Sequence, residues 1–316
     1  MKVIEYIEKA KEPLISYEVI PPERGGHISQ LFNVVSEVMK YNPPFIDVTS
    51  HAAEVEFKET PEGIKKIIKR KRPGTIGISV AIKNHFHIET VPHLLCHGFT
   101  REETEDALIE LNYLGIENVL AIRGDDLGYK KPIPDHKTEN LFAYQLVRQV
   151  HNMNKGIYLE EGLLDAAGTD FCIGIAGYPE KHFESPNMTA EINRVKQKVD
   201  EGAHYVVTQL FYDNKSFFNF VSMCRKAGIT VPIIPGLKVI TNKSQLTNIP
   251  KNFYITIPEE LANEISEAKP EHVTDVGARW SAKQVSELFN KGIPAVHFYI
   301  MQSVKPIKKM FEYLKM

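Results

Sequence analysis

Polar residues able to do chemistry recur along this chain in one pattern: each follows a short apolar run. The clearest case is residues 118–126, Asn-Val-Leu-Ala-Ile-Arg-Gly-Asp-Asp. Val119 to Ile122 is apolar without alternation, as in a strand covered on both faces. It stops at Arg123, Gly124, Asp125 and Asp126, which supply a cation, a flexible backbone and two carboxylates. Ligands of open α/β sheets and barrels sit at such carboxyl ends of strands. Glu18, Thr49, His93, Tyr178 with His182, Gln209 and Tyr299 lie at or near the ends of similar runs. Glu18 stands out because its run, residues 14–22, is Leu-Ile-Ser-Tyr-Glu-Val-Ile-Pro-Pro. Desolvation there raises a carboxyl pKa and suits a proton donor near neutral pH. From pattern alone the same setting more often holds a structural carboxylate, paired here with a cation such as Arg123.

Three other groups carry weaker signals. His85, His87, His93 and His97 invite a metal, but they lack a helical pair ending at a carboxylate, so no metal is expected. Lys238, just after Pro235-Gly236-Leu237, has the position for a Schiff base, yet no neighbour in sequence depresses its pKa. Lys65, Lys66, Lys69, Arg70, Lys71 and Arg72 read as a solvated surface.

The elements that must position these residues alternate. Helix is expected over 1–12, 28–39, 101–114, 139–151, 189–201, 215–227, 242–249, 258–267, 272–290 and 303–314. Strand is expected over 14–20, 45–48, 89–95, 118–123, 171–177, 205–210, 231–234 and 295–300. Thr100-Arg-Glu-Glu opens its helix with a capping box. Residues 52–74 read as a long loop. Residues 76–86 alternate like a strand, but the strand–helix order assigns them to a helix with Thr75 as N-cap. Eight strands, each followed by a helical segment, point to an α/β protein of the (β/α)8 TIM-barrel class. It would be a single domain over 1–316, with an extra N-terminal helix and loop insertions. An open doubly wound sheet is the runner-up, weakened because no G-x-G-x-x-G follows any strand.

Composition excludes several classes. The 316 residues are 43% hydrophobic and 25% charged, with net charge −2, which gives no global basic character for nucleic acid. No apolar run approaches membrane-spanning length, and the N-terminus has no signal-peptide core. Cys96, Cys172 and Cys224 are far apart, as in a reduced cytoplasmic protein.

Nine stretches, in order, resemble the methylenetetrahydrofolate reductase family. They are residues 16–22 (Ser-Tyr-Glu-Val-Ile-Pro-Pro), 47–49 (Asp-Val-Thr), 92–96 (Pro-His-Leu-Leu-Cys), 120–125 (Leu-Ala-Ile-Arg-Gly-Asp), 176–180 (Ala-Gly-Tyr-Pro-Glu), 198–203 (Lys-Val-Asp-Glu-Gly-Ala), 208–213 (Thr-Gln-Leu-Phe-Tyr-Asp), 233–236 (Ile-Ile-Pro-Gly) and 297–299 (His-Phe-Tyr). The resemblance implies a flavin-containing barrel that reduces 5,10-methylenetetrahydrofolate with NADH or NADPH, by a ping-pong route through one face of bound FAD. It implies Glu18 as general acid at N10 and Asp125 beside the pterin and flavin. Thr49, His93, Arg123, Gly124, Tyr178, His182 and Lys198 would hold FAD, while Gln209 and Tyr299 would meet folate. A homo-oligomer is implied, without control by adenosylmethionine.

The chain departs from the family pattern in three places. Ser303 stands where an Arg is expected, Glu191, Arg194 and Gln197 differ on the FAD helix, and residues 126–170 are longer than in short bacterial forms. Two other readings compete: a barrel lyase or aldolase using Lys238, and a non-catalytic flavin- or folate-binding subunit.

Overall fold

The computed structural model describes residues 1–69, 72–125 and 131–314. In chain order the elements are α1 (Val3–Lys9), β1 (Leu14–Val19), α2 (Ile28–Met39), β2 (Phe45–Val48), β3 (Glu54–Thr60), β4 (Gly63–Lys69), α3 (Thr75–Phe86), β5 (Glu89–Leu95), α4 (Arg101–Tyr113), β6 (Asn118–Ile122), α5 (Ala143–Asn154), β7 (Cys172–Gly177), α6 (Met188–Asp200), β8 (Tyr205–Thr208), α7 (Asn214–Lys226), β9 (Ile233–Ile234), β10 (Gly236–Leu237), α8 (Gln245–Phe253), α9 (Glu259–Glu267), α10 (Val273–Asn290), β11 (Ala295–Met301) and α11 (Lys305–Tyr313).

Parallel pairing runs β10-β11-β1-β2-β5-β6-β7-β8-β9. Only Pro235 separates β9 from β10, so these two pieces act as one interrupted strand and the sheet returns on itself as a (β/α)8 barrel. Proline has no N–H to give the ladder, which accounts for the interruption. The carbonyl of Pro235 still accepts from His297 N at 2.9 Å.

Side chains alternate between two environments, as strands require. Residues facing outward, such as Tyr17, Val19, Ile173 and Ile175, join the helices in the main core. Those facing inward form a smaller cluster of Phe45, Val91, Leu120, Cys172, Tyr205, Val207, Ile234 and Ala295. Val3 of α1 plugs this cluster at the start of the strands, held by its N–H on Asn118 Oδ1 at 2.8 Å. The opposite, carboxyl end of the barrel interior is polar.

The expected alternation holds, including the helix at 75–86, but three readings are corrected. Residues 52–74 are not one loop, because β3 and β4 form an antiparallel hairpin. Thr75 is not the N-cap. Gly74 holds that place, and Thr75 turns its hydroxyl to the carbonyl of His93 at 3.4 Å. Arg72 is not solvated: its guanidinium donates to the carbonyl of Pro21 and lies 3.4 Å from Glu23. Arg70, Lys71 and Asp126 lie outside the described residues.

The capping box on α4 forms as read, with Thr100 Oγ1 accepting from Glu103 N at 3.1 Å and Glu103 Oε2 accepting from Thr100 N at 2.9 Å. Thr100 is buried, so Thr100→Ala should lower stability by about 1 kcal/mol, read from chemical denaturation, with α4 otherwise intact.

Candidate active site

Glu18 is placed by the regular alternation of β1, which turns Tyr17 and Val19 outward and Ser16 and Glu18 inward. The pairing of β1 with β11 shifts between Glu18 and Val19: Glu18 lies opposite Tyr299 but Val19 opposite Met301. Met301 takes the extra step with φ of 58°. The extra residue, Ile300, lies on β11 just past Tyr299, so the bulge belongs to that strand. On its other side Glu18 pairs with Asp47 of β2.

The Glu18 carboxylate is buried, and Thr49 donates its hydroxyl to Oε1 at 2.6 Å. Two buried imidazoles flank Oε2, with His93 Nε2 at 3.7 Å and His297 Nε2 at 3.8 Å. His93 Nε2 also lies 3.3 Å from Asp47 Oδ2, and His297 Nδ1 lies 2.8 Å from Ser16 Oγ. Burial pushes the Glu18 carboxyl up. The charges of His93 and His297 with the Thr49 bond outweigh it and hold the group at about 2. This corrects the expected raised pKa: burial acts as read, but its cationic neighbours win. His93 is drawn down by burial and up more strongly by Glu18 and Asp47, so its pKa is raised.

Arg123 does not pair with Glu18. Its guanidinium grips Glu184 at 2.5 and 3.1 Å, lies 3.2 Å from His97 Nε2 and covers the Phe142 ring. Gly124 follows at φ of +85°, where an added Cβ would come within 3.3 Å of Leu95. This left-handed turn swings Asp125 out to an exposed position at the rim. Tyr178 and His182 meet edge to face with centroids 4.8 Å apart. Burial raises the Tyr178 pKa and lowers that of His182.

Tyr299 crosses the interrupted strand and donates its hydroxyl to the carbonyl of Thr208 at 2.6 Å. Only glycine fits at 236, since a Cβ would lie 2.1 Å from that carbonyl and 2.7 Å from the Tyr299 ring. Gln209 folds onto its own strand end, accepting from Leu210 N at 2.9 Å. Lys238 donates to the carbonyl of Tyr299 at 3.3 Å, and burial lowers its pKa despite the pull of Glu18. The groups that bury it are distant in sequence, so its neighbours along the chain do not reveal the shift. Ser303 is exposed just beyond β11.

Lys198 reaches from α6 to the end of β7. Its ammonium sits on the carbonyl of Ala176 at 2.5 Å, and burial brings its pKa to about 8, against the pull of Glu191. Glu191 itself is buried and accepts from Ser185 Oγ at 2.7 Å and from His182 N at 3.2 Å. His85, His87, His93 and His97 scatter: His85 stacks on Phe32 and His87 ends α3. Among the described residues no three His, Cys, Asp or Glu side chains gather as a metal would need.

Sequence reasoning passed over Asp47, His297 and Glu184 as site residues. The first two were findable, because Asp47 shares the period-two face of Phe45 and Thr49, and His297 that of Tyr299. Glu184 carries no such signal, since it lies in a loop. Asp47 Oδ1, His51 Nδ1, His93 Nδ1 and His297 Nε2 are buried without a hydrogen-bond partner among the described residues. Buried polar atoms are rarely left so, and a polar heteroaromatic ligand would satisfy them.

The fold and site together define a (β/α)8 barrel with a hydrogen-bonded acid buried in a polar mouth. The family model of methylenetetrahydrofolate reductase matches residues 2–315. The chain is 30% identical over 303 residues to methylenetetrahydrofolate reductase 1 of Schizosaccharomyces pombe, covering 95% of this chain and 45% of that one. It is 30% identical over 295 residues to 5,10-methylenetetrahydrofolate reductase of Salmonella typhimurium, covering 91% and 86%. The chain belongs to the methylenetetrahydrofolate reductase family. It spans about half the length of the eukaryotic relatives it matches. Among solved structures, an uncharacterized Clostridium thermocellum protein that binds two copies of 5-methyl-5,6,7,8-tetrahydrofolic acid superposes with a TM-score of 0.57 at 16% identity, over 98% of this chain and 96% of that one, which shows the fold.

Glu18 makes stability depend on pH. Its folded pKa lies below the unfolded value, so its contribution is present above about pH 4.5 and is lost as pH falls toward 2. That difference is worth roughly 3 kcal/mol. Urea midpoints of the native chain and Glu18→Gln, compared between pH 5 and 2, should converge as the pH falls. A constant gap would show that the carboxylate is not held ionised.

Proposed function

We propose that the chain reduces 5,10-methylenetetrahydrofolate to 5-methyltetrahydrofolate, drawing electrons from NADH or NADPH. Bound FAD would supply the hydride chemistry, taking electrons from one substrate and giving them to the other in turn at one face. The observation that carries this reading is Glu18, an acid buried at the strand ends and contacted by Thr49, His93 and His297.

The residues divide by role. Thr49, Arg123, Gly124, Tyr178 and His182 follow the ends of β2, β6 and β7, with His93 buried in β5, and would offer a cofactor hydrogen-bond donors, a guanidinium and an aromatic edge. The unpartnered nitrogens of His51 and His93 fit a ring bearing polar edges. Lys198 would serve a diphosphate only by leaving the Ala176 carbonyl. Asp125, exposed at the rim, would face the pterin and the flavin. Gln209 and Tyr299 bound the opposite side, where folate would lie.

Glu18 would deliver a proton to N10 of the folate. The bond from N10 to the bridging carbon breaks, its electron pair stays with N10, and the ring opens to an iminium. Protonation is needed only there, so the acid serves one half-reaction. Thr49 fixes the carboxylate, and His93, whose pKa is raised, stands beside it as the source of that proton.

One observation favours a second reading: burial depresses the Lys238 amine, as a Schiff-base lysine requires. Borohydride trapping of a carbonyl substrate on Lys238 would support a lyase. Failure of the isolated chain to turn over despite bound flavin would support a binding subunit.

The purified chain should be yellow, release flavin on denaturation and bleach with NADH or NADPH under anaerobic conditions. A colourless protein that takes up no added FAD would sink the proposal. Reoxidation by methylenetetrahydrofolate should give parallel initial-rate lines, and intersecting lines with a ternary complex would refute the shared face.

Glu18→Gln should separate the half-reactions. Loss of a general acid costs ~10²–10⁴-fold, so the folate step should fall by at least that range's lower end. Flavin reduction should stay within roughly tenfold, about 1.4 kcal/mol of barrier. Equal slowing of both steps in stopped-flow absorbance would make Glu18 a structural carboxylate.

A further inference from the structure

The β3–β4 hairpin belongs to neither the barrel ladder nor the site. It leaves the mouth after β2, and its strands pair only with each other. Phe57, Ile64 and Ile68 are 69%, 73% and 54% exposed, among the most exposed large apolar side chains in the described structure. An isolated two-stranded hairpin is marginal in water and needs a further strand or a packed face.

We propose that this hairpin docks a second copy of the same chain, β3 against β3, about a two-fold axis through Phe57. The backbone permits this pairing. Thr60 and Gly63 close a two-residue turn at Pro61 and Glu62. Counting back from that hydrogen-bonded pair, Val55, Phe57 and Glu59 turn their N–H and C=O groups away from β4. Centring two β3 strands on Phe57 sets those outward groups against their equivalents: Phe57 on Phe57 of the partner subunit, and Val55 on Glu59 of the partner subunit.

Charge selects the same register. Glu56 falls opposite Lys58 of the partner subunit, and the symmetry repeats the pair. Sliding by two residues either way sets Glu56 on its own copy or Lys58 on its own copy. Opposite charges across a sheet stabilise, and like charges destabilise. Within one hairpin Lys58 already faces Lys65, an unfavourable pair that a partner's carboxylate in the same row would offset. The other edge does not compete. β4 holds Lys65, Lys66 and Lys69 and no acid, so no pairing with its copy unites opposite charges, and lysines guard an edge. The resulting four-stranded sheet would place both Phe57 rings at its centre, flanked by the stems of Lys66.

Sedimentation velocity on the full chain tests the proposal. Wild type should self-associate into an even-numbered assembly. Glu56→Lys or Lys58→Glu alone places like charges at both symmetric pairs and should weaken association roughly tenfold or more. The double exchange recreates opposite pairs and should restore it. A monomeric wild type, an assembly indifferent to both single changes, or a double variant as weak as the singles overturns the proposal. Phe57→Cys gives an independent reading, because Cys96, Cys172 and Cys224 are buried. A short bismaleimide should join two such chains through residue 57, and no cross-linked dimer would count decisively against the axis.

Discussion

A carboxylate inside a barrel survives only if its charge is answered on the spot, and much of this molecule's mouth is arranged around that constraint. Glu18 is buried and ionised, and an unanswered charge there would be strongly destabilising. The regular alternation of β1 turns it inward at the mouth, Thr49 donates to one oxygen, and two imidazoles stand over the other. Asp47 then balances His93, which lies between two carboxylates. These groups form one electrical unit, so removing one member unbalances the rest.

That unit needs a closed barrel, because its members come from β1, β2, β5 and β11. Closure depends on the weakest strand, which is only two short pieces around Pro235. Gly236 compensates by letting the Tyr299 ring approach and cross to Thr208. Tyr299 therefore ties β11 to β8 across the interruption, beside the acid it neighbours in register. Packing at the seam and chemistry at the mouth use the same side chain.

The barrel was legible because its strands are apolar on both faces and its helices carry ordinary caps and spacing. The hairpin was not. Val55 and Phe57 alternate with Glu54, Glu56 and Lys58, but neither face meets a core, so lysines and turn residues made the stretch look like a loop. Arg72 was misread for the opposite reason, since its charge suggests solvent but a carbonyl 51 positions away receives it. Glu18 was found from its apolar flanks. Its charge state was not, because the histidines that set it come from residues 93 and 297. Burial is local information in a strand, whereas electrostatic pairing across a barrel is not.

The low pKa of Glu18 bears directly on the proposed acid role. A group held at about 2 carries almost no proton at neutral pH, yet the proton need not reside there beforehand. His93 has its pKa raised and stands 3.7 Å from Oε2, so the store and the delivery point are neighbours. Burial already pushes Glu18 upward, and a substrate that excludes water from the mouth strengthens that push. The proton can then move from imidazole to carboxylate as the folate nitrogen arrives. Groups coupled this closely titrate together, so the limb of a pH–rate profile belongs to the Glu18–His93 pair and not to either residue. A limb above the ordinary histidine range would reflect the raised imidazole's proton, which is how a strongly ionised carboxylate can act as an acid.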